Sequence, residues 1–438
     1  MSEIRPRSEV QGSGELRPRD RGPRRPQSIA RHGRLKKASP IGTIFRFLAA
    51  ALAVVLVAGV SLGAVAANAL KTKLDDNAVD LVGADGEAIA APPSIGAIEG
   101  GFNILIVGTD TREGQGGLGG EDEGAQLNDV NMLLHVSEDQ SNAVAISFPR
   151  DMVVGIPECP YEDGSGTKYY STEPINTALS YGGLNCVVMT VSELTGLDIQ
   201  FAGMIGFRGV VNMADAIGGV EICTDGPIED EYSGLSIPDA GTWTLNGEQA
   251  LAFLRTRHGV GDGSDLTRIS SQQVYLSSLV RKLKADGTLT NPATLYNLAQ
   301  AAVNNMTLSS SLADVPTMVS IALALKDVPL ERVTFVQYPG TTGSGGIYAG
   351  KVRPDTYSGD EMMALIAQDQ PFQLAQAGDD SGSMAVEPPP PTKTPIDRTN
   401  PKPVETTAPV DNSALPTVSS SIKGQTAANY TCSVSNSY

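Results

Sequence analysis

The sequence predicts a layered α/β fold, and two observations lead to that prediction. Short apolar runs of strand length alternate with longer segments of helical periodicity, which is typical of helices packed on a sheet. The first run, residues 103–108, stops at a glycine and is followed by Asp110 and Arg112. Ligands of open α/β sheets bind at such strand ends, so a candidate site begins there.

Each element follows from its local pattern. Strands are predicted where short apolar runs are bounded by glycine or polar residues: 103–108, 131–136, 143–148, 199–205, 219–223 and 333–337. Helices are predicted where apolar residues recur every three or four positions: 173–181, 184–195, 207–216, 249–254, 266–284, 292–305, 312–325 and 360–367. Gly196 is a candidate C-cap, and the glycine-rich, acidic loop 113–128 is expected to be mobile.

Charge is segregated along the chain, which suggests two environments. Residues 1–46 carry twelve Lys or Arg and four Asp or Glu, whereas the whole chain has a net charge of −17. Residues 47–70 are uncharged and apolar, and they are long enough to cross a bilayer. We therefore predict a disordered basic cytoplasmic segment at 1–43 and a single transmembrane helix at 44–70, with the rest of the chain extracellular. Because the basic segment has no interleaved aromatic residues, no nucleic-acid partner is expected.

Composition divides the extracellular part into three segments. Residues 71–100 are predicted to be a stalk, 101–378 a folded domain with its core at 103–284, and 379–438 a disordered tail rich in Pro, Ser and Thr. A cleaved signal peptide is the alternative to the membrane anchor, because residues 64–67 resemble a cleavage site. The long apolar run and the long basic segment favour the anchor.

The four cysteines lie on the predicted extracellular side, where disulfides can form. They are Cys159, Cys186, Cys223 and Cys432. Three pairings are open to four cysteines. We favour Cys159 with Cys186, since both border candidate site segments, which leaves Cys223 for Cys432. No CxxC spacing indicates a thiolate metal site.

Charged residues cluster at the ends of the predicted apolar elements. They are Asp110, Arg112, Asp129, Arg150, Asp151, Arg255, Arg257, Asp265 and Arg268, with Gln272 one helical turn after Arg268. Arginine binds phosphate oxygens in a bidentate manner and stays charged, so the pattern indicates a phosphate or pyrophosphate ligand. Carboxylates repel phosphate unless a cation lies between them, so Asp110 and Asp129 predict Mg²⁺. Alternatively, the aspartates form only structural salt bridges with the arginines.

These runs resemble the LytR-CpsA-Psr family of cell-wall glycopolymer ligases, of the actinobacterial type. The resemblance covers residues 103–283 and depends on the order and number of the motifs. They are GTDTR at 108–112, ND at 128–129, FPRD at 148–151, INTALSYGG at 175–183, LNGEQAL at 245–251, RTRHG at 255–259 and the run 265–273. The resemblance implies a three-layer α/β/α sandwich around a mixed sheet, with an apolar cavity for a lipid tail and a single membrane anchor.

The resemblance also implies an activity and a role for each residue. Family members transfer a glycopolymer from a polyprenyl-pyrophosphate carrier to peptidoglycan, with Mg²⁺ as cofactor. By resemblance, Asp110 and Asp129 hold the metal. Pyrophosphate binding falls to Arg112, Arg150, Arg255, Arg257, Arg268 and Gln272. The candidate catalytic residues are Arg150, Asp151, Arg255, Arg257 and Asp265, among which Asp151 or Asp265 orients an arginine or takes the acceptor proton.

Two positions depart from the family pattern. Many members have arginine where this chain has Leu127 and Ser271, so the predicted site is two cations poorer. This departure keeps two other functions open. One is a pyrophosphatase that cleaves the lipid-linked glycan with water, and the other is a non-catalytic binder of that lipid-linked glycan.

Overall fold

The computed structural model describes residues 72, 78–83, 89, 100–110, 126–161, 164–285, 292–379, 381–387 and 412–436. Within these ranges no helix is both long and apolar enough to span a membrane. The predicted basic segment at 1–43 and the predicted transmembrane helix at 44–70 lie outside the described residues, as does Arg112.

An eight-stranded mixed sheet forms the centre of the molecule. In sheet order its strands are β1 (Ala78–Val79), β14 (Met306–Ser309), β9 (Phe201–Ile205), β2 (Phe102–Thr109), β3 (Asn128–Val136), β4 (Ala143–Phe148), β15 (Val333–Gln337) and β19 (Gly424–Thr426). β3 runs antiparallel to both β2 and β4, whereas β9 runs parallel to β2 and β15 runs parallel to β4. The predicted layered α/β architecture is confirmed.

Helices cover both faces of this sheet. Neighbouring strand residues alternate between two cores, as Leu105 and Ile104 do. The core that contains Leu105 includes α1 (Ala178–Thr195) and α7 (Thr356–Ile366). The core that contains Ile104 includes α5 (Pro292–Asn305), α6 (Val315–Lys326) and one side of α4 (Asp265–Ala285). The sheet is therefore the middle of three layers.

Smaller elements surround the central sheet. A second sheet joins β13 (Gly241–Leu245), β10 (Val220–Thr224), β20 (Thr431–Ser433) and β18 (Ser383–Ala385). Helices α2 (Phe207–Ala216) and α3 (Gly247–Arg255) pack against each other beside it. Four two-stranded sheets pair β5 (Val153–Ile156) with β8 (Ser171–Pro174), β6 (Cys159–Pro160) with β7 (Thr167–Lys168), β11 (Ile228–Asp230) with β12 (Leu235–Ile237), and β16 (Gly340–Thr342) with β17 (Val352–Pro354). Short 3-10 turns lie at Ile175–Thr177, Leu330–Arg332 and Gly346–Tyr348.

The helix predicted at 173–181 starts later than its periodicity suggested. Residues Ser171–Pro174 pair with β5 as a strand, so α1 begins only at Ala178. It then continues through a kink at Gly182 and Gly183 to Thr195, which joins the two predicted helices. Gly196 ends it with φ 70°, as expected of a glycine C-cap.

The prediction of a disordered tail at 379–438 is wrong for residues 381–387 and 412–436. β19 pairs with β15 at the edge of the central sheet, and β20 joins the second sheet. The tail has few large apolar residues, but Val418 and Ile422 are buried in the core that contains Leu105. The amide of Gln425 also donates to Gln273 O at 2.8 Å and to Ser277 Oγ at 2.6 Å. Backbone pairing, these hydrogen bonds and the two buried apolar side chains therefore hold the segment in place.

Part of the predicted stalk also belongs to the folded domain. The short strand β1 pairs in parallel with β14, and Leu81 is buried in the core beside α1. Two strand residues and one apolar side chain gave too short a pattern to be recognised in the sequence.

Both disulfides connect the cysteines that the sequence analysis favoured. Cys159 is bonded to Cys186, with their Cα atoms 5.4 Å apart, and Cys223 is bonded to Cys432, with their Cα atoms 4.4 Å apart. The first bond ties the β6–β7 hairpin to α1, and the second ties the C-terminal strand β20 to β10.

Candidate functional site

The charged residues meet at one edge of the central sheet because of strand direction. β2 and β4 run the same way, since each pairs antiparallel with β3. Their carboxyl ends, followed by Asp110 and Arg150, therefore lie beside the start of β3, which carries Asp129. A bulge in the β2–β3 register occurs between Gly108 and Thr109. The polar strand ends seen in the sequence thus form one cluster.

Arg150 is the centre of this cluster. Its Nη1 donates to Asp129 Oδ1 at 2.6 Å, and its Nε lies 3.4 Å from Asp265 Oδ1 and 3.9 Å from Asp151 Oδ2. Burial lowers the pKa of the Arg150 guanidinium, but the surrounding carboxylates outweigh burial, and the net pKa is raised. Arg150 is held as a cation against three carboxylates.

Arg268 lies next to Arg150 at the amino end of α4. It is buried, its Nη2 is 2.6 Å from Asp265 Oδ1, and the same nitrogen donates to Asp129 O at 3.0 Å. Burial lowers the pKa of Arg268, and the nearby guanidinium groups of Arg150 and Arg257 lower it further. Asp265 raises this pKa, but the net pKa is lowered. Arginine remains charged despite such a shift, so three cations share a small region.

Several polar atoms of this cluster are buried without a hydrogen-bond partner among the described residues. They are the Nε atoms of Arg150, Arg257 and Arg268, and Oδ1 of Asp265. Asp265 Oδ1 lies within ion-pair distance of Arg150 and Arg268, but neither contact has hydrogen-bond geometry. Buried donors of this kind are rare in folded proteins unless a ligand or water completes them. Three unpaired guanidinium donors suit an anion with several oxygens.

Asp230 positions the backbone that carries Arg257. Its Oδ2 accepts from Thr256 Oγ1 at 2.6 Å and from the backbone N–H of Arg257 at 3.0 Å. Burial raises the pKa of Asp230, but these hydrogen bonds and two from Tyr232 and Ser233 outweigh burial, so the pKa is lowered. The sequence analysis missed Asp230, because it lies more than twenty residues from the arginine that it orients.

The LytR_cpsA_psr family model matches residues 63–364 of the chain. The chain belongs to the LytR-CpsA-Psr family. The resemblance inferred from the sequence motifs is thus confirmed, and the matched residues include the whole charged cluster.

Curated proteins similar to this chain include the cell wall biosynthesis protein LcpA of Corynebacterium glutamicum. The two are 32% identical over 274 residues, which are 57% of this chain and 52% of LcpA. The chain spans about half the length of LcpA and of LcpB, a probable cell wall biosynthesis protein from the same organism. Its similarity to the polyisoprenyl-teichoic acid–peptidoglycan teichoic acid transferase TagT of Bacillus subtilis is 26% identity, covering 54% of this chain and 69% of TagT.

A similar solved structure is the LytR-Csp2A-Psr enzyme from Actinomyces oris. It is 21% identical to this chain, with a TM-score of 0.48, and the similarity covers 66% of this chain and 96% of that chain.

Two of the residues predicted by resemblance to the LytR-CpsA-Psr family have other contacts. Arg255 lies over the ring of Phe207 with its Cζ 4.5 Å from the ring centroid. Gln272 is buried, and its Nε2 donates to Leu254 O at 2.9 Å, which ties α4 to the end of α3. Arg255 is the last residue of α3, whereas Arg257 follows the extended Thr256, and Asp230 binds both Thr256 and the backbone of Arg257.

Asp151 has a partner that the sequence analysis did not find. Lys351 Nζ lies 2.8 Å from Asp151 Oδ1, and the backbone N–H of Val352 donates to Asp151 O at 3.0 Å. Asp151 is the more accessible of the two candidate proton acceptors, since its side chain is 20% exposed and that of Asp265 is 5% exposed. No signal in the sequence links two residues 200 positions apart.

The metal prediction rests on Asp110 and Asp129, which follow β2 and begin β3. Asp110 Oδ1 accepts from the backbone N–H of Leu127 at 3.3 Å, and Asp129 Oδ1 is bound to Arg150. Within the described ranges no three His, Cys, Asp or Glu residues group as a metal site. The pairing of β2 with β3 brings these two residues to the same end of the sheet. Two carboxylates fit Mg²⁺, which is commonly bound by one or two carboxylates together with substrate phosphates and water.

The two family departures have different surroundings. Ser271 is fully buried on α4, its Oγ lies 2.7 Å from Ser433 Oγ, and it donates to Gly382 O at 3.4 Å. An arginine has no space there, because strand β20 and the segment before β18 occupy it. Leu127, in contrast, is half-buried and binds Asp110 through its backbone. The C-terminal segment therefore accounts for the missing arginine at Ser271.

An apolar cavity of about 410 Å³ lies on the α4 side of the central sheet. Its lining side chains come from α2, α4, α5 and α6, and they include Val210, Met213, Tyr275, Leu276, Leu279, Leu298, Met318 and Ala322. α4 links the cavity to the charged cluster, because Tyr275 follows Arg268 by seven residues, or about 10 Å of helix. Burial raises the pKa of Tyr275 to about 12, in keeping with these apolar surroundings.

Proposed function

We propose that the protein is a phosphotransferase that moves a glycopolymer from a polyprenyl-pyrophosphate carrier to peptidoglycan. The acceptor hydroxyl oxygen bonds to the phosphorus that carries the glycan, and the bond from this phosphorus to the bridging oxygen breaks. Polyprenyl phosphate leaves with the electron pair, and a phosphodiester joins the glycan to peptidoglycan. The names of LcpA and TagT, a cell wall biosynthesis protein and a teichoic acid transferase, support this proposal.

The observation that carries the proposal is the set of three arginines with unpaired buried Nε donors. Phosphoryl transfer depends mainly on positioning and on neutralising the equatorial and leaving oxygens. Arg150, Arg257 and Arg268 supply fixed positive charge in a partly water-excluded place, where it acts more strongly than in bulk water. A pyrophosphate has enough oxygens to pair with all three.

The carboxylates of the cluster have separate roles in this proposal. Asp265, which lies within ion-pair distance of both Arg150 and Arg268, is a positioning residue that fixes the two guanidinium groups. Asp151, which is more exposed and held by Lys351, takes the proton of the acceptor hydroxyl. The difference in exposure supports separate roles for two aspartates that the sequence left equivalent.

The apolar cavity takes the polyprenyl tail. It has no charged lining residue, and α4 places its lining residue Tyr275 about 10 Å from Arg268 along the helix axis. A volume of about 410 Å³ accommodates several isoprene units rather than a complete long lipid. The remainder of the polyprenyl chain then extends towards the bilayer.

The proposal includes a cofactor and a location. Asp110 and Asp129 hold Mg²⁺, which when bound supplies further charge neutralisation to the pyrophosphate. The uncharged run at 47–70 anchors the chain in the cell membrane as a single-pass helix, with the N-terminus in the cytoplasm and the folded domain outside. The extracellular location agrees with both disulfides.

Product analysis tests the proposed reaction directly. The full-length protein in detergent micelles receives Mg²⁺ and a polyprenyl-pyrophosphate-linked oligosaccharide labelled on its sugar, with or without peptidoglycan. We expect label on peptidoglycan together with released polyprenyl phosphate. Soluble sugar phosphate that forms equally without peptidoglycan would instead identify a pyrophosphatase. Bound donor that gives neither product would identify a non-catalytic binder.

Arg150→Ala tests the residue at the centre of the site. We expect turnover to fall by on the order of 10² or more, because one preorganised charge donor is removed. Arg332→Ala is the matched control. Arg332 precedes β15, which runs parallel to β4, so it lies at the opposite end of the strands from Arg150. Turnover of the Arg150 variant within threefold of the parent would remove Arg150 from the site.

A further inference from the structure

Three tyrosines in one short stretch of the chain are exposed. Tyr161, Tyr169 and Tyr170 have exposed fractions of 39%, 82% and 57%, and all three belong to the β6–β7 hairpin and the residues beside it. We call these three residues the tyrosine platform. Large aromatic side chains lose favourable burial when they stay exposed, so three of them in one hairpin region indicate a binding site.

The backbone beneath the platform is firmly held. The Cys159–Cys186 disulfide fastens the hairpin to α1, and the backbone N–H of Tyr161 donates to Gly166 O at 2.9 Å. Tyr170 packs across Gly155, where a Cβ would collide with the tyrosine hydroxyl. A rigid aromatic surface loses little conformational entropy when a ligand binds, which favours recognition over simple mobility.

Polar groups adjoin the aromatic rings. Lys168 Nζ lies 4.0 Å from the ring centroid of Tyr181 and 3.4 Å from Glu173 Oε1. Tyr181 Oη donates to Glu173 Oε2 at 2.5 Å. A sugar ring presents polarised C–H groups on its faces and hydroxyl groups on its edge. Aromatic faces with a negative quadrupole suit the C–H groups, and the ammonium and carboxylate suit the hydroxyl groups.

The platform is connected to the charged cluster through a short backbone path. The strand β8 leads from the platform to Asn176, whose backbone N–H donates to Arg150 O at 3.1 Å. Ile175 is likewise bonded to Met152 O at 2.8 Å. Asn176 follows Glu173 by three positions, so the backbone of Glu173 lies within roughly 11 Å of this contact.

The platform and the apolar cavity lie on opposite sides of the central sheet. The hairpin and α1 pack in the core that contains Leu105, whereas α4, α5 and α6 line the cavity on the other side. In phosphoryl transfer the attacking and leaving oxygens are roughly in line across the phosphorus. If the lipid phosphate leaves towards the cavity, the attacking hydroxyl approaches from the platform side.

We propose that the tyrosine platform binds sugar rings of the acceptor glycan strand and presents its hydroxyl to the charged cluster. This inference rests on the proposed transferase function, and it assigns the acceptor side of the site. It adds Tyr169 and Tyr170 as the main stacking residues, with Lys168 and Glu173 as hydrogen-bonding groups at the sugar edge.

Acceptor kinetics test this assignment. The full-length protein is assayed with saturating lipid-linked donor and varied soluble peptidoglycan fragments, and the parent is compared with Tyr169→Ala/Tyr170→Ala. We expect the acceptor KM to rise about tenfold, since two aromatic contacts are lost, while the donor KM stays within about twofold. Tyr169→Phe/Tyr170→Phe should restore the acceptor KM, because the ring faces remain.

Tyr357→Ala is the matched control, since Tyr357 is also 82% exposed but begins α7. An acceptor KM within twofold of the parent in the double alanine variant would overturn the assignment, as would a rise in the donor KM alone. If the parent itself releases no polyprenyl phosphate, the proposed function fails. Calorimetry with the same fragments then tests the tyrosine platform separately from the transfer reaction. Binding that is about tenfold weaker in the double alanine variant than in the parent supports the platform. Equal binding by both proteins, or no binding by the parent, overturns it.

Discussion

Two segments flank the charged cluster, each bound by a disulfide, and they differ in what they do with their side chains. The segment from β5 to β8, residues 153–174, directs Tyr161, Tyr169 and Tyr170 to solvent. The C-terminal segment, residues 412–436, buries Gln425 and Ser433 against α4. Each segment contributes a few apolar side chains to the core that contains Leu105, namely Val154 and Ile156 from the first and Val418 and Ile422 from the second, and a disulfide adds a covalent tie to each.

The difference indicates a ligand surface in the first segment and a supporting element in the second. The C-terminal segment continues beyond β20 and pairs with the loop after Arg257. Gly261 N donates to Val434 O at 2.9 Å, and Asn436 N donates to Gly259 O at 3.0 Å. The segment therefore supports the backbone of a site arginine, whereas the hairpin offers groups that no other part of the described chain covers.

Removal of the C-terminal disulfide should have the largest effect on stability. Cys223 and Cys432 are 209 residues apart, and closing so long a loop restricts the unfolded chain by about 5 kcal/mol in the chain-entropy model. We expect Cys223→Ser/Cys432→Ser to lose up to that amount in urea unfolding. Turnover should fall as well, because the loop at Arg257 loses its support.

Removal of the hairpin disulfide should cost less stability and act on a different kinetic constant. Cys159 and Cys186 are 27 residues apart, which corresponds to about 3.5 kcal/mol in the same chain-entropy treatment. For Cys159→Ser/Cys186→Ser we expect the acceptor KM to rise while the donor KM is kept. If this variant unfolds more readily than the variant without the C-terminal disulfide, the contrast between the two segments is wrong.

Asp230→Asn should have the smallest effect, and that effect should depend on pH. The pKa of Asp230 is lowered in the folded protein, so its carboxylate stabilises the fold above 3.8, the ordinary value of an aspartate, and this contribution is lost as pH falls through the folded pKa. We expect the variant to lose about 1–2 kcal/mol at pH 7, as for hydrogen bonds to a charged group, and progressively less below about pH 4.

Urea unfolding from about pH 7 to about pH 3 measures this difference, because the contribution of the carboxylate begins to fall once the pH drops below 3.8, the ordinary pKa of an aspartate. Asp239→Asn is a suitable control, since the backbone carbonyl of Asp239, and not its side chain, accepts from Trp243 and Thr224. A stability loss in the Asp230 variant that is equal at all pH values would contradict the role of its charge.

Much of the candidate site could be predicted because its residues follow recognisable elements. Asp110, Asp129 and Arg150 stand beside apolar strands, and short apolar runs bounded by glycine or polar residues identified those strands. Asp265 and Arg268 stand at the start of a long amphipathic helix. The partners Lys351 and Asp230 were not predictable, since a salt bridge or a cap across a large sequence separation leaves no local pattern.

The sequence by itself determined the main helices, six of the strands, their order, the charges at their ends and the family. Local patterns of apolar and polar residues suffice for these, because they reflect the geometry of single helices and strands. Only the tertiary structure decided that Ser271 faces Ser433, that the tail enters two sheets, and that the three tyrosines of the hairpin region remain exposed. Such long-range contacts depend on how whole elements pack, and composition alone does not encode which polar segment finds a partner.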